Sequence, residues 1–186
     1  MFTDPILIQL TQKYPAPTFQ DKSERLFLEL VESIISQQLS VKASNTIFAR
    51  FEALFDTLTP QTLLGMNDEK IRACGVSYQK IKYLKSVADA FINGMIQIDK
   101  LKYMSDEEVI SLLTQIHGVG RWTAEMILIF TLARPDIFSL GDQGLKNAIE
   151  KLYGVTDLKE ILALSEKWAP YRSTACWYLW KSLDNT

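Results

Sequence analysis

Residues 113–124 read LTQIHGVGRWTA and are followed downstream by Gly141-Asp142, and these two stretches decide the fold and the chemistry. The pattern predicts a helix, a four-residue hairpin and a second helix, with a carboxylate just downstream. Gly118 and Gly120 permit a close backbone approach, because neither has a side chain to obstruct it. Open amide groups at the start of a helix attract anions such as phosphate. The sequence therefore predicts that the hairpin binds a nucleic-acid backbone next to an acidic residue that acts on one nucleotide.

The composition is that of a globular protein of 186 residues, arranged as one domain or as two small lobes sharing a core. Apolar residues make up 47% of the chain and charged residues 23%. The net charge of −2 weighs mildly against a nucleic-acid binder. A local basic face is then required, and its candidates are Lys42, Lys80, Arg121, Lys146 and Arg172.

Cys74 and Cys176 are too far apart in sequence to suggest a disulfide framework, and with one histidine they argue against a zinc site. No basic segment precedes an apolar core at the start, and the apolar runs are too short to span a membrane. We expect an intracellular protein, in the cytoplasm and nucleoid of a bacterium or in the nucleus of a eukaryote.

Helical periodicity recurs almost from end to end, which predicts an all-α protein. Capping signals mark several helix starts, at Thr59-Pro60, at Ser77, and at Ser105 with Glu108. Residues 126–133 are apolar on nearly every side, which predicts a central, buried helix. Pro170 is placed to start the last helix.

Asp142 admits two interpretations that can coexist. Aspartate is a strong N-cap, so Asp142 can simply begin a helix over residues 143–153. The same position, next to a buried apolar helix, also suits a catalytic carboxylate. The nearest rival is Asp136, which follows Arg134-Pro135 in a segment typical of an exposed turn.

Aromatic residues and one glutamine supply weaker signals. Trp122 and Trp180 can form the flat walls that hold an extruded base, although dense aromatics are more often core. Gln38 continues the apolar stripe of the first long helix with a polar side chain. It is either a solvated helix end or a wedge that fills the gap left by an extruded base.

Taken together, these motifs resemble the helix-hairpin-helix (HhH-GPD) DNA glycosylases, in the branch of the 3-methyladenine type II, AlkA-like enzymes. The resemblance runs from roughly residue 20 to residue 182. It rests on four motifs and a C-terminal segment: residues 35–40 (ISQQLS), Gly75-Val76-Ser77 with Lys80, residues 118–124 (GVGRWTA), residues 138–145 (FSLGDQGL), and Pro170-Tyr171-Arg172-Ser173. The order and spacing of the motifs make the set specific.

The resemblance implies a two-lobed, all-α fold with the active site in the cleft between the lobes. It implies one HhH-GPD domain over residues 1–186, with the helix-hairpin-helix at about 108–133 and no extra N-terminal β-domain. The implied activity is excision of alkylated, cationic purines such as 3-methyladenine and 7-methylguanine from duplex DNA by base flipping, in base excision repair. We expect the enzyme to act as a monomer and not to bind a membrane.

The resemblance also implies roles for particular residues. Asp142 matches the catalytic aspartate, and Trp122 stands where lyase-competent relatives carry a lysine, which implies a glycosylase without lyase activity. The implied base pocket is Trp122, Trp180 and Met126. The implied DNA contacts are Gln38, Ser40, Gly118, Gly120, Arg121 and Thr123. The backbone carbonyls of Thr114, Ile116 and Val119 match positions that hold a Na⁺ or K⁺ ion, and no other cofactor is implied, since four clustered cysteines for an iron–sulfur cluster are lacking.

Two residues depart from the family pattern. His117 stands where the hairpin usually has proline, which predicts a looser turn. Met126 stands where some relatives have a pocket tyrosine, so the preferred base stays open.

A single carboxylate suffices for a cationic base, because the leaving group needs little protonation and the carboxylate can stabilise the sugar cation and direct water. The alternative is a non-catalytic helix-hairpin-helix module that binds duplex or damaged DNA. That alternative explains the hairpin but gives no reason for Asp142 or for the tryptophans.

Overall fold

A computed structural model describes residues 2–184, and these residues form α-helices joined by short turns, without a strand among them. The helices are α1 (Pro5–Lys13), α2 (Leu26–Ser36), α3 (Val41–Glu52), α4 (Pro60–Gly65), α5 (Asp68–Ala73), α6 (Tyr78–Ile92), α7 (Ile98–Leu101), α8 (Asp106–Leu113), α9 (Arg121–Phe130), α10 (Gln143–Tyr153), α11 (Leu158–Glu166) and α12 (Arg172–Lys181). The predicted all-α class is confirmed. None of the helices in this part of the chain is long and apolar enough to cross a membrane.

The capping signals in the sequence do begin helices. Thr59 and Ser105 each form a capping box with the residue three positions on, at the starts of α4 and α8. Ser77 accepts the backbone N–H of Lys80 at the start of α6. These side chains satisfy amide groups that the first turn of a helix leaves without a partner.

The apolar segment 126–133 is a shorter helix than its pattern predicts. Helix α9 ends at Phe130, whose side chain is 42% exposed, and Ala133 has a left-handed φ of 52°. Arg134 precedes a proline, which disfavours the helical conformation there, and its N–H donates to the Leu128 carbonyl instead. Ile127, Leu128 and Ile129 are buried as predicted, but the expectation that the helix runs to residue 133 is wrong.

The last helix begins two residues after Pro170. The N–H of Arg172 donates to Asp136 Oδ1, and the N–H of Ser173 donates to the Pro135 carbonyl. A distant turn thus caps α12, which is why the local signal at Pro170 gives the wrong start.

The chain divides into two compact units. One combines residues up to Asp21 with those from Leu128 onward, and here α10 and α1 pack on α12. Its core consists of Leu7, Leu10, Leu145, Ala148, Ile149, Ile161, Trp168, Ala175, Cys176, Tyr178 and Leu179. Burial of these apolar side chains is the main force that holds α10 and α12 together.

The other unit is Lys22–Ile127. In it, α6 packs against α2 and α4, and α3 packs against α2. Its fully buried side chains include Leu26, Leu30, Ile34, Ile35, Phe51, Leu63, Ile71, Ile81, Leu84 and Leu101. Helix α2 is the most uniformly apolar of these helices, and it supplies six buried residues.

Asp4 ties the start of the chain to its own unit. Its Oδ1 caps α1 by accepting the N–H groups of Ile6 and Leu7 and also accepts the Tyr153 hydroxyl at 3.0 Å. Its Oδ2 accepts the Trp168 indole N–H at 3.2 Å. Burial and the Asp4 carboxylate raise the pKa of Tyr153 well above its ordinary value, so the hydroxyl stays a donor.

We expect Asp4→Ala to lower the free energy of unfolding by about 3 kcal/mol. Loss of the cap costs about 1 kcal/mol, and the hydroxyl and indole N–H left without this acceptor add about 1 kcal/mol each. Asp157→Ala is the matched control, because Asp157 is exposed and caps only α11; it should cost about 1 kcal/mol. Equal losses in urea denaturation would show that Asp4 acts only as a helix cap.

Candidate active site and nucleic-acid interface

The helix, hairpin and second helix predicted from the sequence are present as α8, a tight turn and α9. The N–H of Val119 donates to the Ile116 carbonyl at 3.0 Å, and both side chains are buried. Gly118 has a φ of 95°, and a Cβ there would lie 2.3 Å from Cγ of Tyr83. Only glycine fits at this position, which places the hairpin backbone directly against α6.

His117 gives the turn a contact that proline cannot make. Its N–H donates to Ser86 Oγ at 3.1 Å, and its ring meets the Tyr83 ring edge-on at 5.0 Å. The Gly118 carbonyl accepts from Gln37 Nε2 at 3.2 Å. The turn is therefore tied to α6 and to the end of α2, which is the opposite of the looser turn predicted from His117.

The hairpin offers backbone amides to an anion. Within residues 2–184 the N–H groups of Gly118 and Gly120 have no acceptor, and Gly120 is exposed. Gly120 directly precedes α9, whose first-turn amides carry the positive end of the helix dipole. Exposed donors at a helix start suit a phosphate oxygen, as the sequence predicts.

The Arg121 side chain is engaged by two carboxylates. Its Nη2 lies 2.6 Å from Glu107 Oε1, and its Nε lies 2.9 Å from Glu125 Oε1. The hydrogen bond from Arg121 lowers the pKa of Glu107, and Glu107 in turn raises the pKa of Arg121. The Thr123 side chain is buried. The hairpin thus presents amide groups more readily than these two side chains. The predicted phosphate contacts of the Thr123 amide and of Arg121 stay predictions.

Lys80 faces inward. Its Nζ donates to the carbonyls of Ile35 at 2.8 Å and Gln37 at 2.7 Å, and burial lowers its pKa. It therefore closes the C-terminal end of α2, where helix carbonyls lack partners. Arg172 is likewise paired with Asp136. The basic face proposed from the sequence is thus smaller than expected: Lys42 and Arg121 are exposed, and Arg121 is already paired with carboxylates.

Gln38 lies beyond the helix that the sequence predicts for it. Helix α2 ends at Ser36, and Gln38 is exposed with a left-handed φ of 59°. The prediction that it continues the apolar stripe of α2 is wrong, because the chain leaves the helix where Lys80 binds its last carbonyls. Leu39 and Val41 beside it are also exposed, and Ser40 caps α3 by accepting the Ala43 N–H. Residues 38–41 therefore expose two polar and two apolar side chains.

Asp142 fulfils the N-cap interpretation and has a second contact. Its Oδ1 accepts the Leu145 N–H at 2.7 Å and the Trp180 indole N–H at 3.0 Å. The carboxylate is half-buried at the start of α10. The structure therefore brings together two residues that the sequence places in the site, the acid and one aromatic.

A row of aromatic rings continues from Trp180. The rings of Trp180 and Phe130 lie 5.7 Å apart, and those of Phe130 and Phe19 lie 6.0 Å apart. Sequence reasoning missed both phenylalanines, although the exposed Phe130 ends an otherwise buried run. Trp122 is 47% exposed and lies one turn before the half-buried Met126 on α9, so these two share a face of that helix.

Asp136 is a structural acid. It forms a two-pronged pair with Arg172, with 2.8 Å from Nε to Oδ1 and from Nη2 to Oδ2. The Arg172 guanidinium holds the pKa of Asp136 below its ordinary value. The predicted turn is present and Pro135 is exposed, but the Asp136 side chain is only 26% exposed, so the expectation that this acid is exposed is wrong. Asp142 is the better candidate for chemistry.

The hairpin carbonyls have the chemistry of a weak cation site. Those of Thr114, Ile116 and Val119 are neutral oxygen donors, which suit a hard cation of low charge such as Na⁺ or K⁺. Among residues 2–184 no group of three or more histidine, cysteine or acidic side chains is placed to hold a metal ion. Any ion at the hairpin would therefore be held by backbone oxygens.

The chain is similar over most of its length to known DNA repair proteins. The sequence model of the HhH-GPD superfamily of base excision DNA repair proteins matches residues 31–170. DNA-3-methyladenine glycosylase 1 of Schizosaccharomyces pombe is 40% identical over 183 residues, which cover 95% of this chain and 80% of that protein.

Solved structures agree with the sequence comparison. The 3-methyladenine DNA glycosylase of Schizosaccharomyces pombe in complex with abasic DNA superposes with a TM-score of 0.85 at 38% identity, covering 97% of this chain and 92% of that one. The DNA-3-methyladenine glycosidase of Bacillus halodurans gives a TM-score of 0.84 at 37% identity, covering 98% and 86%.

The Asp136–Arg172 pair predicts a pH-dependent stability. Because the pKa of Asp136 is lowered on folding, its contribution is complete above the ordinary value of 3.8 and is lost as the pH falls through the lowered one. We expect Asp136→Asn to cost about 2 kcal/mol of unfolding free energy at neutral pH, and the difference from wild type to shrink in acid. Asp184→Asn, at an exposed pair with Lys181, is the control and should cost little. A pH-independent difference would contradict this assignment.

Proposed function

The chain belongs to the HhH-GPD superfamily of base excision DNA repair proteins, and from that premise we propose that it is a DNA-3-methyladenine glycosylase that excises alkylated purines from duplex DNA. The observation that carries the proposal is the half-buried Asp142 carboxylate, held by the Leu145 amide and the Trp180 indole. The relatives at 40% and 38% identity carry the name of that activity.

The proposed reaction is hydrolysis of the N-glycosidic bond. A nucleotide of 3-methyladenine or 7-methylguanine carries positive charge on its base, so the electrons of the breaking bond to C1′ neutralise the departing base without a proton donor. The sugar then develops oxocarbenium character, which the Asp142 carboxylate stabilises electrostatically. A water adds to C1′ and Asp142 takes its proton, which leaves a free base and an abasic sugar.

Other residues have proposed roles in extruding the base and in binding the DNA backbone. An enzyme reaches a buried glycosidic bond by flipping the nucleotide out of the stack. The exposed Gln38 is the proposed side chain that fills the vacated space, and the Gly118 and Gly120 amides are the proposed phosphate donors. The carbonyls of Thr114, Ile116 and Val119 would hold a Na⁺ or K⁺ ion, whose charge would add to the attraction for phosphate.

Aromatic residues supply the proposed base selectivity. A cationic purine is attracted to the electron-rich face of an indole, so Trp180 favours alkylated over normal bases. Trp122 and Met126 are the other proposed base contacts. Trp122 also supports a glycosylase without lyase activity, because an indole nitrogen cannot form the Schiff base that a lysine forms. We propose that the enzyme acts as a monomer.

Asp142→Asn tests the proposed chemistry. Asparagine caps helices about as well as aspartate, so α10 should remain intact. We expect single-turnover release of methylpurines from alkylated duplex DNA to fall about 100-fold or more, while binding to an abasic duplex persists. Asp157→Asn, at the exposed cap of α11, is the control and should release base at the wild-type rate.

The same experiment separates the alternative function. Wild-type protein that binds alkylated duplex but releases no base would be a non-catalytic helix-hairpin-helix module. Equal release by wild type and Asp142→Asn would keep the enzyme and remove Asp142 from its chemistry.

Substitution of Lys80 and of Lys42 should change the salt dependence of DNA binding differently. Each lysine that neutralises a phosphate adds about one to the slope of log K against log salt. Because Lys80 binds carbonyls inside its unit, Lys80→Met should weaken the fold by about 2 kcal/mol and leave the slope unchanged. Lys42→Met, at an exposed site, should lower the slope by about one. A reduced slope in Lys80→Met would place its ammonium on DNA.

A further inference from the structure

The motif Gly141-Asp142-Gln143-Gly144-Leu145 contains a glycine that the proposed reaction does not explain. Gly144 lies in the first turn of α10, where glycine is a poor helix former. Its φ lies outside the left-handed region, so the backbone does not require glycine there. The reason for glycine must lie in the space around it.

That space is occupied by the pair that holds the acid. A Cβ on Gly144 would lie 3.1 Å from Asp142 Oδ1, 3.2 Å from Trp180 Cδ1 and 3.4 Å from Trp180 Nε1. The first two distances are shorter than ordinary van der Waals contact, so the indole or the carboxylate would have to shift by a few tenths of an ångström. The absence of a side chain at Gly144 lets the indole approach α10 closely enough to donate to Asp142.

The indole N–H fixes the direction of the carboxylate. The Leu145 amide donates to Asp142 Oδ1 from α10, and the Trp180 indole donates to the same oxygen from α12, at 3.0 Å. Donors that reach one oxygen from two helices restrict the rotation of the carboxylate. Phe130 packs 5.7 Å from the Trp180 ring and restricts the indole in turn.

We propose that Trp180 is a positioning residue for Asp142, which orients the carboxylate through its indole N–H, and that Gly144 is required to admit it. This inference rests on the proposed function, in which Asp142 acts on the sugar and its water. It gives Trp180 a role separate from any contact with the base, since the N–H acts on the acid and the ring face acts on the base.

Trp180→Phe separates the two roles, because phenylalanine keeps an aromatic face and lacks the N–H. We expect the single-turnover rate constant to fall about tenfold or more, while the dissociation constant for an abasic duplex changes less than twofold. Trp177→Phe is the matched control on the same helix, where the ring packs on Tyr178 and Lys181, and it should keep the wild-type rate. A wild-type rate in Trp180→Phe overturns the proposal.

A double-mutant cycle tests whether Trp180 acts through Asp142. If it does, Trp180→Phe should cause no further loss in the Asp142→Asn background, since the group that it positions is no longer a carboxylate. If Trp180 serves only as a wall for the base, the two losses should multiply. Multiplying losses would overturn the positioning role.

Gly144→Ala gives a readout that a structural role would not produce. Alanine is the better helix former, so thermal stability should stay equal or rise, while base release should fall about tenfold or more because the methyl group displaces the indole. Gly65→Ala is the control, since nothing lies within 4 Å of a Cβ there; its rate should not change. A Gly144→Ala enzyme that is stable and fully active would overturn the role of Gly144.

The indole N–H can also be observed without any reaction. In nitrogen-15 NMR spectra, the Trp180 indole resonance should move in Asp142→Ala, and the Trp177 resonance should not. An unmoved Trp180 resonance would contradict the contact itself. Base release that collapses in Asp142→Asn but survives in Trp180→Phe would refute this inference alone, whereas a protein that releases no base would refute the proposed function and leave the NMR result to decide the contact.

Discussion

One carboxylate oxygen organises the proposed catalytic centre. Asp142 Oδ1 accepts the Leu145 amide at 2.7 Å and the Trp180 indole at 3.0 Å, so it begins α10 and joins α10 to α12 at once. The first-turn amides of α10 also place the positive end of the helix dipole beside this carboxylate. Asp142, which the sequence predicts as a helix cap, is thus held in one orientation. A carboxylate that directs a water molecule needs such a fixed orientation.

The hairpin is held in a similar way. Backbone groups that lack partners within a helix or turn are bound by side chains from neighbouring segments. Lys80 closes the carbonyl end of α2, and Gln37 from that end reaches the Gly118 carbonyl. Ser86 receives the His117 amide, while the Gly118 and Gly120 amides face no acceptor within residues 2–184. The turn is held from one side by its neighbours, and its remaining donors are left for an anion.

Sequence predicts well what local chemistry determines. The caps at Thr59, Ser77, Ser105 and Asp142 begin helices where predicted, because the side chain and the amide that it satisfies lie within three residues. The partners of Lys80 and Arg172, and the Glu107 partner of Arg121, were not predictable in this way. They come from other parts of the chain, and a basic side chain looks alike in sequence whether it faces solvent or a carbonyl. The second partner of Arg121, Glu125, lies one helical turn away, at a spacing where local pairing is expected. Gln38 was misplaced for the same reason, since a distant lysine ends its helix.

The most direct test of the account is to measure free base and strand integrity in one reaction of the purified protein with methylated duplex DNA. Hydrolysis by a single acid predicts free methylpurine in equal amount to new abasic sites, with intact strands and no adduct trapped by borohydride. A trapped covalent adduct or cleaved strands would contradict a purely hydrolytic enzyme, and bound DNA without free base would contradict a glycosylase altogether.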